Sequence, residues 1–255
     1  MRLQALPVLS DNYIWILSDE AGARALIVDP GEAGPVLAAA AAGLRPAAIL
    51  LTHHHHDHIG GVPALRERWP DLPVIAPGDE RIATATRRVG DGERLELAGW
   101  RLEVLAVPGH TRSHVAYYGE GVLFCGDTLF SLGCGRLFEG SPAQMHASLA
   151  RLTALPGDTR VCCGHEYTVA NAAFAGVVEP DNPALRRRLE EARAMRADGR
   201  PTLPSTLAEE CAANPFLRVG QAGVRARLAE RLGRTPADDA EAFAELRRWK
   251  DGFAA

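Results

Sequence analysis

Thr52-His53-His54-His55-His56-Asp57-His58-Ile59-Gly60-Gly61 is the stretch that decides the fold of this 255-residue chain. Residues 47–51 before it contain only Ala, Ile and Leu, which predicts a buried β-strand. The glycine pair at its end indicates a turn into a helix over residues 61–69. Because imidazole and carboxylate groups bind zinc and similar divalent cations, the stretch predicts a metal site at the end of a strand.

The spacing alone is compatible with two sets of metal ligands. Side chains two residues apart in an extended segment point the same way, so His53, His55 and Asp57 share one side. His58 would follow as the chain turns into the helix. A second set has the same spacing and would form a three-histidine site, with Asp57 as a partner of one of its ligands. A third interpretation is that the polyhistidine run is merely exposed. The second set is His54, His56 and His58.

Three further turns each contain a glycine and follow an apolar segment. They end in His110, Asp127 and His165, within Val107-Pro108-Gly109-His110, Cys125-Gly126-Asp127 and Cys163-Gly164-His165. One such residue alone is usually a turn residue. Three of them after a histidine cluster predict a shared site at one edge of the sheets. The exposed polyhistidine run is disfavoured because the stretch follows a buried strand and ends at the turn of Gly60-Gly61.

Strand and helix patterns alternate through the first two thirds of the chain, which predicts an α/β fold. Past residue 166 only helical patterns are found, and no strand is predicted there. We therefore expect one domain over residues 1–165 and a helical domain over residues 166–255. The run Arg186-Arg187-Arg188 predicts a solvated helix face. The predicted C-terminal helices span residues 166–177, 183–197, 222–232 and 237–249.

Composition restricts the classes of partner. The formal net charge is -4 and Lys250 is the only lysine, so no global positive field attracts nucleic acid or an anionic membrane. No apolar run approaches the roughly 18 residues of a membrane span, and the N-terminal residues do not resemble a signal peptide. The five cysteines lack Cys-x-x-Cys spacing, which predicts reduced thiols. We expect a cytoplasmic monomer that binds neither nucleic acid nor membrane.

The motif His53-x-His55-x-Asp57-His58, with the three later turns, resembles the signature of the metallo-β-lactamase superfamily. This resemblance implies an αββα sandwich with metal ions at one sheet edge, and it favours the first of the two ligand sets. It also implies that Asp127 bridges two cations. The implied ligands of the first metal are His53, His55 and His110, and those of the second are Asp57, His58 and His165.

Seven ligands are too many for one zinc ion and suit two. Zinc is the expected metal, although the same donors accept iron or manganese. Two ions about 3.5–4 Å apart share one water and lower its pKa, so that a bridging hydroxide attacks an electrophilic carbonyl. Asp57 and Asp127 are the residues expected to be catalytic, with Asp57 steering the hydroxide.

Further segments closely resemble the hydroxyacylglutathione hydrolase (glyoxalase II) family over nearly the whole chain. The resemblance implies hydrolysis of S-D-lactoylglutathione to D-lactate and glutathione, the second step of methylglyoxal detoxification. Alternatives are another enzyme of this fold, such as a persulfide dioxygenase or a broad thioesterase, and a non-catalytic metal-binding or glutathione-binding module. The segments are Gly133–Gly140, Gly164–Asn171, Pro204–Glu210, Asn214–Arg218 and Arg247–Asp251.

A cationic cleft suits glutathione, which has two carboxylates. Arg247 and Lys250 lie three residues apart on one predicted helix face and are expected to bind the same anion. Arg136 is expected to bind a carboxylate or amide oxygen, and Tyr167 offers a hydroxyl. Family members often have Lys at position 136 and Tyr at 138, so Phe138 loses a hydroxyl at an expected substrate contact. The other histidines are not expected to bind metal. We expect His114 either to contact a metal ligand or simply to pack in the core. His54 and His56 are expected to point away from the metals, and His146 is expected to be structural.

Overall fold

The computed structural model describes residues 1–21 and 24–253 of the chain. Strands predominate up to β13 and helices after it. The strands are β1 (Arg2–Val8), β2 (Asn12–Ser18), β3 (Ala25–Val28), β4 (Pro46–Leu50), β5 (Val74–Pro77), β6 (Arg87–Val89), β7 (Arg94–Leu97), β8 (Trp100–Ala106), β9 (Val115–Gly119), β10 (Val122–Gly126), β11 (Leu129–Phe130), β12 (Gly133–Cys134), β13 (Arg160–Cys163) and β14 (Ser205–Thr206). The helices are α1 (Gly34–Ala41), α2 (His56–Ile59), α3 (Val62–Arg68), α4 (Pro142–Thr153), α5 (Thr168–Val178), α6 (Pro183–Ala197), α7 (Leu207–Ala213), α8 (Ala222–Leu232) and α9 (Asp239–Asp251), with a 3-10 helix at Pro215–Leu217.

The chain forms two compact units, and neither is one continuous stretch of sequence. The first contains Met1–Ala106, Ser113–Gly126 and Cys162–His165, and the second contains Val107–Arg112, Asp127–Val161 and Glu166–Ala255. The units therefore interleave along the chain. The domain boundary between residues 165 and 166 stays a proposal.

Six strands form the first sheet of the first unit, in the order β1-β2-β3-β4-β5-β6. The pairs from β1 to β3 are antiparallel and those from β3 to β6 are parallel. A strand covered on both faces is mostly apolar; all seven residues of β2 are buried, and only its first and last, Asn12 and Ser18, are neither aliphatic nor aromatic. Helices α1 and α3 connect parallel strands and pack on this sheet. The shared core includes Val36, Val62 and Leu65 of the helices and Ile14, Ile27, Ile49 and Val74 of the strands.

The second sheet of the first unit contains β7 to β10 and the last two residues of β13. It faces the first sheet, since the Tyr117 hydroxyl donates to the carbonyl oxygen of Leu51 at 2.9 Å. Trp15 Nε1 of β2 likewise donates to the carbonyl oxygen of Cys163 at 2.9 Å. The Val115 amide donates to the carbonyl oxygen of Thr52 at 3.0 Å, so the loop after β4 lies at one edge of both sheets.

The second unit contains helices α4 to α9 and two short strand pairs. Helix α4 begins with a capping box, because Ser141 and Gln144 each bind the other's amide through their side chains. β11 and β12 form a hairpin, and β14 pairs with Arg160 and Val161 of β13. Within residues 1–21 and 24–253, none of the helices has the length and hydropathy needed to cross a membrane.

Three local expectations differ from the structure. The extended segment ends at His55 because α2 begins at His56, so Asp57 lies in a helical turn and not on an extended strand. β14 corrects the expectation that no strand follows residue 166; two residues are too short to give a periodic pattern. Arg188 is 7% exposed and donates to the carbonyl oxygen of Thr202 at 2.7 Å, so the solvated face is wrong for this residue.

Candidate metal centre

The buried carboxylate of Asp29 contacts two residues of the histidine stretch, Thr52 and His58. Asp29, directly after β3, accepts from the Thr52 amide at 2.8 Å and from the Thr52 hydroxyl at 2.7 Å. The same carboxylate lies 3.1 Å from Nδ1 of His58. These contacts direct Nε2 of His58 away from Asp29. The sequence interpretation missed Asp29, although Val28-Asp29 also places an aspartate directly after a buried strand.

Asp57, His58 and His165 form one group of potential metal ligands within the first unit. Asp57 Oδ2 lies 3.5 Å from His58 Nε2 and 3.4 Å from His165 Nε2. One ligand atom from each residue lies within 4.8 Å of the other two, which is a spacing that a single divalent cation can bridge.

The last residue of the β1–β2 turn and the first residue of β2 contact this group. Asp11 Oδ1 lies 2.8 Å from His165 Nδ1, and Asn12 Nδ2 donates to Asp57 Oδ2 at 2.9 Å. They therefore orient one imidazole and one carboxylate of the group. Both were missed, because nothing in Ser10-Asp11-Asn12 distinguishes a ligand-orienting turn from an ordinary one.

His53 and His55 lie beside each other in the same loop. His53 Nε2 is 3.1 Å from His55 Nδ1, and His53 Nδ1 is 3.0 Å from the Thr52 hydroxyl. The His114 ring stacks on His53 with 4.6 Å between centroids. His114 thus packs against a predicted ligand.

His54 and His56 point elsewhere. His54 Nδ1 lies 3.5 Å from Asp79 Oδ2, and His56 is exposed. Asp79 also accepts from the Ser113 hydroxyl at 2.5 Å, and its hydrogen bond to Arg81 lowers the pKa of its carboxyl well below the usual range. The first ligand set stays a prediction.

His110 and Asp127 form a buried pair in the second unit. His110 Nε2 lies 3.4 Å from Asp127 Oδ2, and His110 Nδ1 lies 2.8 Å from the carbonyl oxygen of Arg136. Position 135 requires glycine, because a Cβ there would lie 1.9 Å from the Asp127 carbonyl oxygen. Thus Nδ1 of four histidines (His53, His58, His110 and His165) contacts an oxygen, an arrangement typical of imidazoles that bind metal through Nε2.

The predicted substrate-binding cations lie in the second unit. Arg247 is only 4% exposed and donates to the Cys134 carbonyl oxygen at 2.9 Å and to Asp251 Oδ1 at 2.9 Å. Lys250 is half-buried, and burial together with Arg247 and Arg136 lowers the pKa of its ammonium group. Arg136 is largely exposed, with Nε 4.0 Å from Asp251 Oδ1. One carboxylate therefore accompanies three cations.

Two aromatic residues flank these groups. Phe138 is 64% exposed, and its ring centroid lies 5.2 Å from that of His110. Tyr167 lies just before α5, with its ring 5.2 Å from Phe130. His146 lies in α4 with its ring 5.7 Å from Phe243, in agreement with a structural role.

Comparison with known proteins identifies the family. Residues 9–165 match the model of the metallo-beta-lactamase superfamily, and residues 166–253 match that of the hydroxyacylglutathione hydrolase C-terminus. The hydroxyacylglutathione hydrolase of Xanthomonas euvesicatoria pv. vesicatoria is 60% identical over 99% of both chains. The enzyme of that name from Stenotrophomonas maltophilia is 60% identical over 100% of both. The chain belongs to the hydroxyacylglutathione hydrolase family.

Solved structures agree with the metallo-β-lactamase fold. ETHE1 from Myxococcus xanthus has a TM-score of 0.69 and 25% identity, covering 100% of this chain and 92% of its own. The B3 metallo-beta-lactamase BLEG-1 has a TM-score of 0.65 and 26% identity, covering 85% of this chain and 99% of its own. The prediction of a hydroxyacylglutathione hydrolase with a metallo-β-lactamase fold and a helical C-terminal region is confirmed.

Proposed function

We propose that the chain hydrolyses S-D-lactoylglutathione and related 2-hydroxyacyl-glutathione thioesters to the hydroxy acid and glutathione. The observation that carries the proposal is family membership over the full length, with relatives of this name at 60% identity. In this reading the protein catalyses the second step of methylglyoxal detoxification.

Each unit contains imidazole and carboxylate donors of the kind that bind divalent cations. The first unit offers imidazole and carboxylate groups within 4.8 Å of one another, and the second adds a buried imidazole–carboxylate pair. Zinc is the proposed metal. A solved structure that covers 65% of this chain at 34% identity is described as a di-iron-bound form, so iron also suits this fold. The proposed ligands are His53, His55, Asp57, His58, His110, Asp127 and His165.

Bound cations would supply a water of lowered pKa and a Lewis acid for the thioester carbonyl. The carboxylates of Asp57 and Asp127 would offset the charge of the cations and hold the cations in place. We propose that Asp57, whose Oδ2 accepts from Asn12 Nδ2 at 2.9 Å, steers the attacking hydroxide. The thiol of the leaving group has a pKa of about 8.5, so it departs as a thiolate without a strong general acid.

The cationic group of the second unit is the proposed site for the carboxylates of glutathione. Arg136 and Lys250 present their charges at exposed and half-buried positions. The donors of Arg247 are occupied within the chain, so we propose that it acts through its charge behind them. Phe138 and Tyr167 would flank the acyl and peptide parts of the substrate.

Compartment and assembly belong to the same proposal. All five cysteines are free thiols, as expected in a reducing compartment. We propose a cytoplasmic monomer that acts on a small molecule and not on nucleic acid or membrane.

The deciding experiment measures hydrolysis of S-D-lactoylglutathione together with the metal content of the protein. A thioester of D-lactate with a neutral thiol tests the role of the glutathione carboxylates. We expect kcat/KM for the neutral thioester to fall by about 100-fold, on the order of two lost charged contacts. Asp127→Ala should abolish turnover, whereas Asp158→Ala, at an exposed carboxylate, should not.

Three results would contradict parts of the proposal. Equal kcat/KM for the two thioesters would remove the glutathione assignment and leave a broad thioesterase. Oxygen consumption with glutathione persulfide, and no thioester hydrolysis, would indicate a persulfide dioxygenase. Tight metal binding without turnover on any of these compounds would indicate a binding module.

A further inference from the structure

The turn of the β11–β12 hairpin is bound by buried side chains from the helices of the second unit. The Leu132 amide donates to Glu210 Oε2 at 2.8 Å. Asn214 Nδ2 donates to the carbonyl oxygen of Phe130 at 3.0 Å and to that of Gly133 at 2.9 Å. Glu210 and Asn214 have no solvent exposure. Leu132 lies in the left-handed region at φ 60°, so the turn adopts a conformation that its own side chain disfavours.

Two more side chains bind Ser131 of the same turn. Asn171 Nδ2 donates to its carbonyl oxygen at 3.1 Å, and Arg188 Nη2 donates to its hydroxyl at 3.3 Å. Asn171 also packs so closely that a Cβ at Gly133 would lie 2.4 Å from Nδ2. These four side chains, Asn171, Arg188, Glu210 and Asn214, are here called the hairpin clamp.

The members of the hairpin clamp also bind one another and their own helices. Asn214 Nδ2 lies 3.3 Å from Glu210 Oε2, while its Oδ1 accepts from the Phe216 amide at 3.1 Å. Burial raises the pKa of Glu210. A buried polar network costs more than apolar packing of the same volume unless its hydrogen bonds are made, and it then specifies one geometry.

The hairpin that the clamp binds connects the proposed metal and substrate residues of this unit. Asp127 lies two residues before it and Arg136 two residues after it. The Gly135 amide donates to the Thr128 carbonyl oxygen at 3.2 Å, and His110 Nδ1 contacts the Arg136 carbonyl oxygen at 2.8 Å. A shift of the hairpin would therefore move both ligands and the substrate cation together.

We propose that the hairpin clamp is a positioning device for the reaction, with Glu210 and Asn214 as its central residues. Its hydrogen bonds set the hairpin geometry, and thereby the separation of His110 from Asp127 and the placement of Arg136. Neither central residue touches substrate or metal. The inference rests on the proposed thioester hydrolysis. It also gives a role to the buried amide and carboxyl groups of the hairpin clamp.

The test compares two Asn→Asp variants of the second unit. Asn214→Asp keeps the Oδ1 cap on Phe216 and removes the donor to the hairpin carbonyls. Asn182→Asp is the control, because it keeps its cap on Ala184 and removes a donor to the Ala212 carbonyl oxygen, which is not part of the hairpin. Both proteins are metal-loaded and compared by kcat, KM, zinc affinity and amide exchange of residues 128–136.

We expect Asn214→Asp to exchange faster at residues 128–136 and to lose about tenfold or more in kcat, since small misplacements of catalytic groups are that costly. Asn182→Asp should stay within about twofold of the parent in kcat. If Asn214→Asp exchanges and turns over like the control, the positioning role is overturned. A merely structural role would lower the unfolding temperature of both variants and leave kcat of the folded protein unchanged.

A second variant and a separate readout keep the two proposals distinguishable. If Asn214→Asp does not fold, Asn171→Asp removes the donor to the Ser131 carbonyl oxygen and is expected to change exchange and kcat in the same direction. If the parent protein hydrolyses no thioester, the proposed function fails, while amide exchange and zinc affinity still test the clamp. Unchanged exchange in both hairpin variants would refute the clamp whatever the activity.

Discussion

At the scale of single residues, the proposed metal centre depends on oxygen atoms that contact Nδ1 of three imidazoles. Asp29 contacts His58, Asp11 contacts His165 and the Thr52 hydroxyl contacts His53, each at Nδ1. An oxygen at Nδ1 selects the tautomer and the ring orientation that present Nε2 to a cation, and it raises ligand basicity. Removing such an orienting partner is therefore expected to weaken metal binding even though the ligand remains.

Asp11→Ala is expected to weaken zinc binding by about 10- to 100-fold, the usual effect of removing such a partner. His165 would lose the carboxylate 2.8 Å from its Nδ1 while remaining present as a ligand. Competition with a chromophoric chelator measures the change. Asp19→Ala, whose carboxylate pairs with Arg24 near the surface, is the control and should leave affinity unchanged. An unaltered affinity in Asp11→Ala would show that ring orientation does not depend on this contact.

Lys250→Met is expected to raise KM for S-D-lactoylglutathione and to leave kcat nearly unchanged. Burial and the neighbouring cations lower the pKa of Lys250, so its ammonium loses the proton at a lower pH than an ordinary lysine. Because the charged form binds carboxylate, KM should rise with pH once the pH passes that lowered pKa. Steady-state kinetics across alkaline pH measure this, and the rise should be absent in Lys250→Met.

The control for this substitution lies two positions earlier. Arg248 is on the same helix, and its side chain is 71% exposed, so Arg248→Met should retain the parent KM and pH dependence. An equal rise in KM in both variants would point to general electrostatic attraction, which added salt would screen.

At the scale of elements, helix starts illustrate how local chemistry sets structure in this chain. Ser141-Pro142 before α4 predicts an N-cap with a proline in the first turn, and the structure has both. The reciprocal bond from the Gln144 side chain is a finding of the structure. The α2 start at His56 was not predicted, since the four-residue helix is too short for a periodic pattern and His55 is not a usual cap. Short elements around the site depend on tertiary contacts.

Ser141→Ala should lower the free energy of unfolding by about 1 kcal/mol, the usual value of an N-cap side chain. The Gln144 amide would lose its acceptor at the start of α4. Chemical denaturation followed by circular dichroism measures the change, with Ser10→Ala at an exposed turn as the control. If the two variants unfold at the same denaturant concentration, the cap does not contribute to global stability.

At the scale of the whole molecule, metal loading should raise stability. Ligands that bind the folded chain more tightly than the unfolded chain stabilise it by RT ln(1 + [L]/Kd), about 2.7 kcal/mol at 100 Kd. Removal of metal with a chelator should therefore lower Tm and abolish hydrolysis, and added zinc should restore both. Calorimetry of the two forms measures this, and His53→Ala should show a smaller zinc-dependent shift. Identical Tm values with and without metal would argue against a site formed only by the folded chain.

The sequence by itself determined the fold class, most strands and helices, the family and the residue types of the centre. That information is local: buried runs of apolar residues, a histidine stretch after one of them, and turns that end in His or Asp. The tertiary structure decided which residues support that centre. Asp11 meets His165 across 154 positions, Glu210 meets Leu132 across 78, and Arg247 meets Cys134 across 113. No local period encodes such pairings, because they depend on how strands and helices far apart in the chain pack together.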